Sequence, residues 1–353
     1  MRWPWRRAAR SDQVVVSWAA GTFAFVRAKA AGDGVFAVTA HAVERLGAGG
    51  QDELVQRLQA LGLKGQTVHA MLRPEQYQLL QIDTPPVAPE ELRAAARFQI
   101  RDMVNAHIDD ITLDVMQVGD GKTRSGNHSF VVAARNDVIR EVLALGDAMG
   151  WSVPVIDIQE TAQRNLQTLL MRDEGRLDRA DAALIISDAQ QALLTISANE
   201  ELFFTRRLEV PQGFQDLDWT PLIQGAALSA SDSYTPVSEY VPEYAGGGYG
   251  SMDYSASAAH DDNDRVQRLL VEVQRSLDLW DRTWSSMPLA GLRVYGAGHS
   301  ADMAAWLGRE LGQTVTAMDV SAHFQGLQDF NAADLAYCLP LLGVLLREES
   351  RKL

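Results

Sequence analysis

Cysteine is almost missing from this chain: Cys338 is the one thiol among 353 residues. A lone cysteine excludes an internal disulfide and a cysteine-based metal site. Lying in an apolar run near the C-terminus, it reads as a buried thiol, in keeping with a reducing cytoplasm. Long apolar runs are missing too, since no segment reaches the ~20 residues that cross a bilayer. Positive charge is scarce, with 32 Lys and Arg against 46 Asp and Glu and a net charge of -14. That balance argues against nucleic acid as the main partner, because phosphate binding is driven by Lys and Arg. The shortage is concentrated from Glu209 to Asp264, where ten acidic residues occur with no Lys or Arg. The common enzyme signatures are absent as well. The seven histidines (His41, His69, His107, His128, His260, His299 and His323) have no metal-ligand spacing. There is no Gly-x-Ser-x-Gly, P-loop or Rossmann fingerprint. The carboxylate pairs Asp109/Asp110 and Asp261/Asp262 sit in loop-like stretches, where solvated charge is the default.

What is present begins with a repeat. Val14-Val15-Val16-Ser17-Trp18-Ala19 runs into Thr22-Phe23-Ala24-Phe25-Val26. Some 170 positions later, Leu184-Ile185-Ile186-Ser187-Asp188-Ala189 runs into Ala192-Leu193-Leu194-Thr195-Ile196. Each copy reads as a buried strand, a tight turn and a second strand. A length of 353 residues makes two domains the natural division. A strand–turn–strand opening each half resembles actin-like ATPase folds, whose turns carry Asp-x-Gly; here the turns read Ser-x-Ala.

The rest of the chain alternates helix and strand. Gln51–Leu61 is a short amphipathic helix, and Val68–Leu72 and Tyr77–Ile82 are strands on either side of an Arg73-Pro74-Glu75 turn. Pro85, Pro86 and Pro89 mark a boundary, with a helix from Pro89 past Met103. A strand at Ile111–Val118, a polar tip at Gly119–Asn127, a strand at Ser129–Ala134, a helix at Asp137–Met149 and a strand at Val153–Ile156 follow. The span 85–156 therefore reads as a small α+β subdomain inserted in the first half. A helix at Gln159–Met171 leads to the charged connector Arg172–Asp181. After the second copy come a strand at Leu202–Arg206, a strong helix at Val266–Trp284, a strand at Leu292–Tyr295, a helix at Met303–Leu311, a strand at Thr314–Ala317 and a closing helix from Ala336 to Arg347.

Two segments resist this pattern. The stretch 219–264 holds five of the eight tyrosines, a Gly246-Gly247-Gly248 run and no periodicity, and reads as a disordered loop, either a solvated insertion or a docking segment. The N-terminal tail, 1–12, carries Arg2, Arg6, Arg7 and Arg10 with Trp3 and Trp5. Followed by the apolar run Val14–Val26 and by Ala28-Lys29-Ala30, it has the outline of a signal peptide. The run lacks Leu, contains Ser17, Gly21 and Thr22, and has a near-copy deep inside the chain, which favours a strand. The tail then reads as solvated, or as an arm leaning on an anionic membrane surface.

The candidate site residues follow from the repeat. An actin-like site needs a carboxylate in each turn to hold Mg²⁺ waters, and glycine so that backbone N–H groups reach the phosphates. Ser17 and Ser187 offer hydroxyls but no charge, and Ala19 and Ala189 add a methyl group at the contact point. The register of the second turn leaves Asp188 as a surviving carboxylate. Gly296-Ala297-Gly298 follows a strand and precedes a helix, where an adenosine-binding turn would sit. Glu272, Arg275 and Ser276 precede it on one helix, either as a polar clasp for a base or ribose or as a solvated face. The alternatives for the turns are a vestigial nucleotide site, two plain buried hairpins, or an active ATPase.

The whole order resembles the PilM family of type IV pilus assembly proteins, relatives of the division protein FtsA, and within it the MshI branch of mannose-sensitive haemagglutinin (MSHA) pilus biogenesis. The likeness runs from about Val14 to Arg347 and is most specific at Glu90–Ile111, Val131–Asn165 and Glu272–Leu279. It implies an actin-like ATPase fold, α/β, with domain 1 at 13–178 carrying the insertion at about 85–156, and domain 2 at 179–347 carrying the loop at about 219–264. It also implies a cytoplasmic adaptor, peripheral at the inner membrane, that holds the N-terminal peptide of a bitopic PilN- or MshJ-like protein beside an assembly ATPase. The family binds ATP. Here the Asp-x-Gly turns are not intact and Ala24 stands about where a phosphate-contacting Lys or Arg is often found, so the expectation is a degenerate site. That site is Ser17, Ala19, Ser187, Asp188, Glu272, Arg275, Ser276, Gly296 and Gly298, with ATP bound without hydrolysis or not bound, and with no catalytic residue.

Overall fold

A computed structural model describes residues 12–32, 34–118, 128–188, 190–217, 219, 220, 222 and 254–348. The tail up to residue 11, the polar tip at 119–127, Ala189 and most of the tyrosine-rich stretch lie outside the described residues.

The two repeats become the centres of two matching sheets. In the first, β1 (Gln13–Ala19) pairs antiparallel with β2 (Thr22–Gly32), and β2 with β3 (Val35–Arg45). On its other side β1 runs parallel to β4 (Thr67–Leu72), which runs parallel to β8 (Ser152–Ile158). In the second, β9 (Ala180–Ile186) pairs antiparallel with β10 (Gln191–Ala198), which pairs with β11 (Glu201–Glu209). Parallel neighbours β12 (Leu289–Tyr295) and β13 (Val315–Ala317) complete it. The orders β3-β2-β1-β4-β8 and β11-β10-β9-β12-β13 are therefore the same topology used twice. Strand β14 (Phe324–Gln325) adds to the outer edge of the first sheet.

Period-two alternation explains how each sheet is covered on both faces. Val14, Val16 and Trp18 of β1 face the helices α1 (Gly50–Ala60) and α3 (Asn136–Met149), packing with Leu54, Leu58, Leu145 and Met149. Val15 faces the opposite way, with Ala24 and Val26 of β2, onto α4 (Gln159–Asp173) and α7 (Ala332–Leu345). Ala183 and Ile185 of β9 join that same core from the second sheet, so α4 and α7 are shared between the halves. The other face of β9, Ala182, Leu184 and Ile186, packs under α5 (Tyr254–Thr283) and α6 (Ser300–Leu311).

A third, three-stranded sheet has the order β5-β7-β6, with β5 (Tyr77–Asp83), β6 (Ile111–Gln117) and β7 (His128–Arg135). One face packs on α2 (Leu92–Ile100) through Leu92, Ala96 and Ile100. Val118 and Phe130, with Leu79 and Met116, pack instead into the core of the second half.

Several expectations change. The small sheet draws on 77–135, not 85–156. Strands β4 and β5 flank a proline turn but belong to different sheets, and α3 and β8 return to the first large sheet, where parallel pairing of β8 with β4 requires a long crossover. The C-terminal segment assigned to the second domain, β14 and α7, packs on the first sheet as well. Helix α5 starts at Tyr254 rather than Val266, so the end of the stretch read as a loop at 219–264 is helical. Strand β3 went unrecognised because most of its residues are only half-buried, which leaves no clean alternation.

Candidate functional site

The first hairpin turns through Ala20 (φ 48) and Gly21 (φ 71), a two-residue turn with both central residues left-handed, which suits the twist of paired strands. Ser17 lies upstream of it, opposite Ala24, and is buried. Its Oγ accepts hydrogen bonds from Arg73 Nη2 at 3.1 Å and Nε at 3.3 Å. Arg73 directly follows β4, the parallel neighbour of β1, and so comes level with the end of the hairpin. Its Nη2 also donates to the carbonyl of Tyr337 in α7 at 2.7 Å, and the guanidinium lies 3.8 Å from the centre of the Tyr337 ring. Arg73 is 3% exposed. Ala19 ends β1 at the turn, also buried.

In the second hairpin, Ser187 Oγ accepts from Gln159 Nε2 at 3.3 Å. Asp188 folds back on its own turn, its Oδ1 accepting from the backbone N–H of Gln190 at 2.8 Å and of Gln191 at 2.9 Å. This is the local side-chain-to-backbone closure that Asp favours in turns. One oxygen of the single candidate Mg²⁺ carboxylate is thus engaged in shaping the hairpin. Among the described residues, no group of three His, Cys, Asp or Glu side chains converges as a metal-ligand set.

Between the turns sits a polar cluster that sequence reasoning missed. The Tyr77 hydroxyl donates to the carboxylate of Glu160 and accepts from the backbone N–H of Gln159 at 3.3 Å. Burial, and then the neighbouring Glu160 charge, push the Tyr77 phenol well above its ordinary range, so it stays a proton donor. From β11, Arg207 donates to Glu160 Oε1 at 3.3 Å, to the Tyr77 carbonyl at 3.1 Å and to the Pro74 carbonyl, with its guanidinium 4.7 Å from the Tyr77 ring centre. Glu160 is 1% exposed, at the start of α4. Gln159 donates from its side chain to Ser187 and from its backbone to the Tyr77 hydroxyl, which ties the second hairpin to this cluster, and Arg73, four residues before Tyr77, ties in the first through Ser17. Nothing local in the sequence distinguishes Arg73, a turn residue, or Arg207, one of two consecutive arginines, from solvated surface charges.

The adenosine-side candidates are engaged elsewhere. Glu272 accepts from Arg206, and from Arg275 Nη1 at 2.7 Å. Ser276 Oγ donates to the Glu272 carbonyl at 2.7 Å and accepts from Arg206 Nη1 at 3.2 Å. Arg206 and Arg207 are consecutive on β11, so they leave the sheet on opposite faces. The Glu272–Arg275–Ser276 group therefore lies across β11 from the cluster that joins the hairpin turns. At the glycine turn, Gly296 N–H donates to Ser300 Oγ at 3.0 Å and that hydroxyl donates to the Gly296 carbonyl at 2.9 Å, closing the turn that leads into α6. Gly298 adopts φ 76 near Ala332, at the start of α7.

No protein-family model and no curated protein matches the chain by sequence. Solved structures do. A PilM–PilN type IV pilus biogenesis complex matches with a TM-score of 0.64 and 19% identity, over 95% of this chain and 99% of that one. A Bacteroides thetaiotaomicron protein described as having an actin-like ATPase fold matches with a TM-score of 0.43 and 8% identity, over 94% and 96%. MreB 5 of Spiroplasma citri bound to AMPPNP matches with a TM-score of 0.41 and 10% identity, over 95% and 96%. The duplicated topology and the first of these likenesses make this an actin-like ATPase fold.

Proposed function

We propose that this chain is a scaffold of a type IV pilus inner-membrane platform, and that it binds the short cytoplasmic N-terminal segment of a bitopic PilN-like protein. The observation that carries the reading is near-complete coverage in both directions against the PilM–PilN complex. Placement within the MSHA branch, next to an MshJ-like partner and an assembly ATPase, rests on the sequence resemblance alone. So does residence at the inner membrane; none of the described helices is long and apolar enough to cross one.

In this reading the nucleotide site is degenerate. The first turn offers Ser17 in place of a carboxylate, and the hydroxyl is taken by Arg73. A buried guanidinium at that point repels a divalent cation instead of holding it. The second turn supplies Asp188, already committed in part to its own hairpin. Scaffolding needs none of these groups. The rival reading, an actin-like ATPase that gates assembly, requires Mg-ATP to bind.

Two measurements test this. The tagged full chain is used to retrieve proteins from detergent-solubilised inner membranes, and the N-terminal peptide of any bitopic pilus protein recovered is titrated against it by fluorescence anisotropy. Saturable binding is expected; failure to recover such a protein sinks the scaffold reading. Calorimetry with Mg-ATP is expected to give no tight binding. Tight binding that is lost in Asp188→Ala would overturn the degenerate site.

A further inference from the structure

We infer that the two halves are locked together by the protein's own arginines, so that their mutual position is independent of ligand. The inference goes beyond the degenerate-site reading, because an empty site alone does not hold the halves together, and it stands on the hydrogen-bond geometry whether or not a nucleotide binds.

The bridge has three parts. Arg207 belongs to the second half, on β11, yet two of its acceptors are the carbonyls of Pro74, in the segment joining β4 to β5, and of Tyr77, the first residue of β5. Its third acceptor is Glu160, at the start of the shared helix α4. Arg73, in that same segment, reaches in the other direction to Ser17 in the first hairpin and to the Tyr337 carbonyl on the shared helix α7. Tyr77 completes the circuit by donating to Glu160. Segment 73–77 is thus gripped from the first sheet, the second sheet and both shared helices.

Charge and burial make this bridge costly to open. Arg73, Tyr77 and Glu160 are all under 5% exposed. Parting Arg207 from Glu160 leaves a buried carboxylate without its cation, which is much worse than losing an exposed pair. An apolar seam reinforces the grip: Val118 and Phe130 of the small sheet are buried in the core of the second half. Because β5 begins at Tyr77, the same contacts set how the small sheet sits on the second half. Arg207 is therefore a positioning residue for that sheet as well as a clamp between the halves.

Hydrogen exchange followed by mass spectrometry on the full chain tests the inference. Wild type is expected to show slow exchange over 73–83 and 201–209, unchanged by saturating Mg-ATP. Arg207→Ala is expected to speed exchange over 73–83 at least tenfold, while amides of β1 and β9 keep their protection. Arg207→Lys, which keeps the charge but not the fork to two carbonyls, is expected to give a smaller increase. It keeps the test open if the alanine variant does not fold. Arg101→Ala, exposed at the C-terminal end of α2, serves as the control and is expected to change nothing beyond that helix end.

Unchanged exchange in both Arg207 variants would overturn the clamp. So would a wild type whose 73–83 segment becomes tenfold slower only when Mg-ATP is added, since a ligand would then be drawing the halves together. Mg-ATP binding detected by calorimetry with no change in exchange would remove the degenerate-site reading and leave the clamp standing. Failure to bind a pilus peptide would remove the scaffold reading alone.

Discussion

Replacing Gly343 by alanine sets local helix preference against packing, and the two predict opposite signs. Gly343 lies in α7, inside the layer shared by both halves. By propensity alone, Gly→Ala inside a helix stabilises by ~1 kcal/mol. The tertiary structure says otherwise. A Cβ on Gly343 would stand 2.0 Å from the carbonyl oxygen of Ala162 in α4, 2.7 Å from its carbonyl carbon and 3.1 Å from its Cα. These are backbone atoms, so no side-chain rotation relieves the overlap; the two helices must part by roughly 1.5 Å to reach normal contact distances. Both are wedged between sheets, with Leu339, Leu341, Leu342, Val344 and Leu345 of α7 at most 1% exposed. Overpacking of such a core costs about 1–3 kcal/mol. Parting the helices also stretches the 2.9 Å hydrogen bond from Asn165 Nδ2 to the Gly343 carbonyl, worth about 1 kcal/mol. Net of the propensity gain, about 2 kcal/mol of destabilisation remains, or a urea midpoint lower by roughly 0.7 M if the denaturant slope is near 3 kcal/mol/M. Gly308→Ala in α6 is the matched control, because a Cβ there meets Gln313 O at 3.5 Å and Val315 Cβ at 3.6 Å, ordinary contacts. Its midpoint should hold or rise. An unchanged or raised midpoint for Gly343→Ala would refute the close helix approach and with it the shared layer.

Three further outcomes are expected. Burial raises the Asp181 carboxyl to about 6 from 3.8, although Arg293 Nε stands 3.1 Å away; the native state therefore holds this proton longer than the unfolded chain does. Its contribution to stability is full below about pH 4 and is lost as pH rises through about 6, by roughly 3 kcal/mol. Melting temperatures of wild type and Asp181→Asn should accordingly shift against each other between pH 4.5 and 7.5, with wild type the loser at high pH, whereas a constant gap would contradict the assignment. Cys338 is fully buried and its thiol is pushed up to about 12, so Ellman's reagent at pH 8 should label it only after denaturation; prompt labelling of native protein would place it elsewhere. Trp18→Phe removes the 2.8 Å bond from Nε1 to Glu141 Oε1, and a double-mutant cycle with Glu141→Ala should give a coupling of about 1 kcal/mol, against zero if the bond is not formed.

The duplication was legible from residues alone. Six consecutive apolar or small residues before each turn leave little option but a strand buried on both faces, and two copies so placed imply two like sheets. That both repeats carry Ser-x-Ala was equally plain, since residue identity is a local fact, but in the first copy Ser17 and Ala19 lie in β1 and the turn itself is Ala20-Gly21. Other features depended on partners far away in the chain. Whether β5 pairs with β4 or with β7 is decided by which sheet needs its apolar face, and both pairings fit the same short strands. Arg73 and Arg207 look like ordinary surface arginines until segment 73–77 and β11 converge, because burying a cation requires acceptors gathered from several elements, here Ser17, Glu160 and three backbone carbonyls. Gly343 looks like a weak point in a helix until the backbone of α4 is laid against it. The sequence by itself determined the repeated architecture and which residues stand at the ends of its paired strands. Only the tertiary structure decided what occupies the space between those ends, because burial and charge pairing belong to the assembled fold and to no single stretch of it.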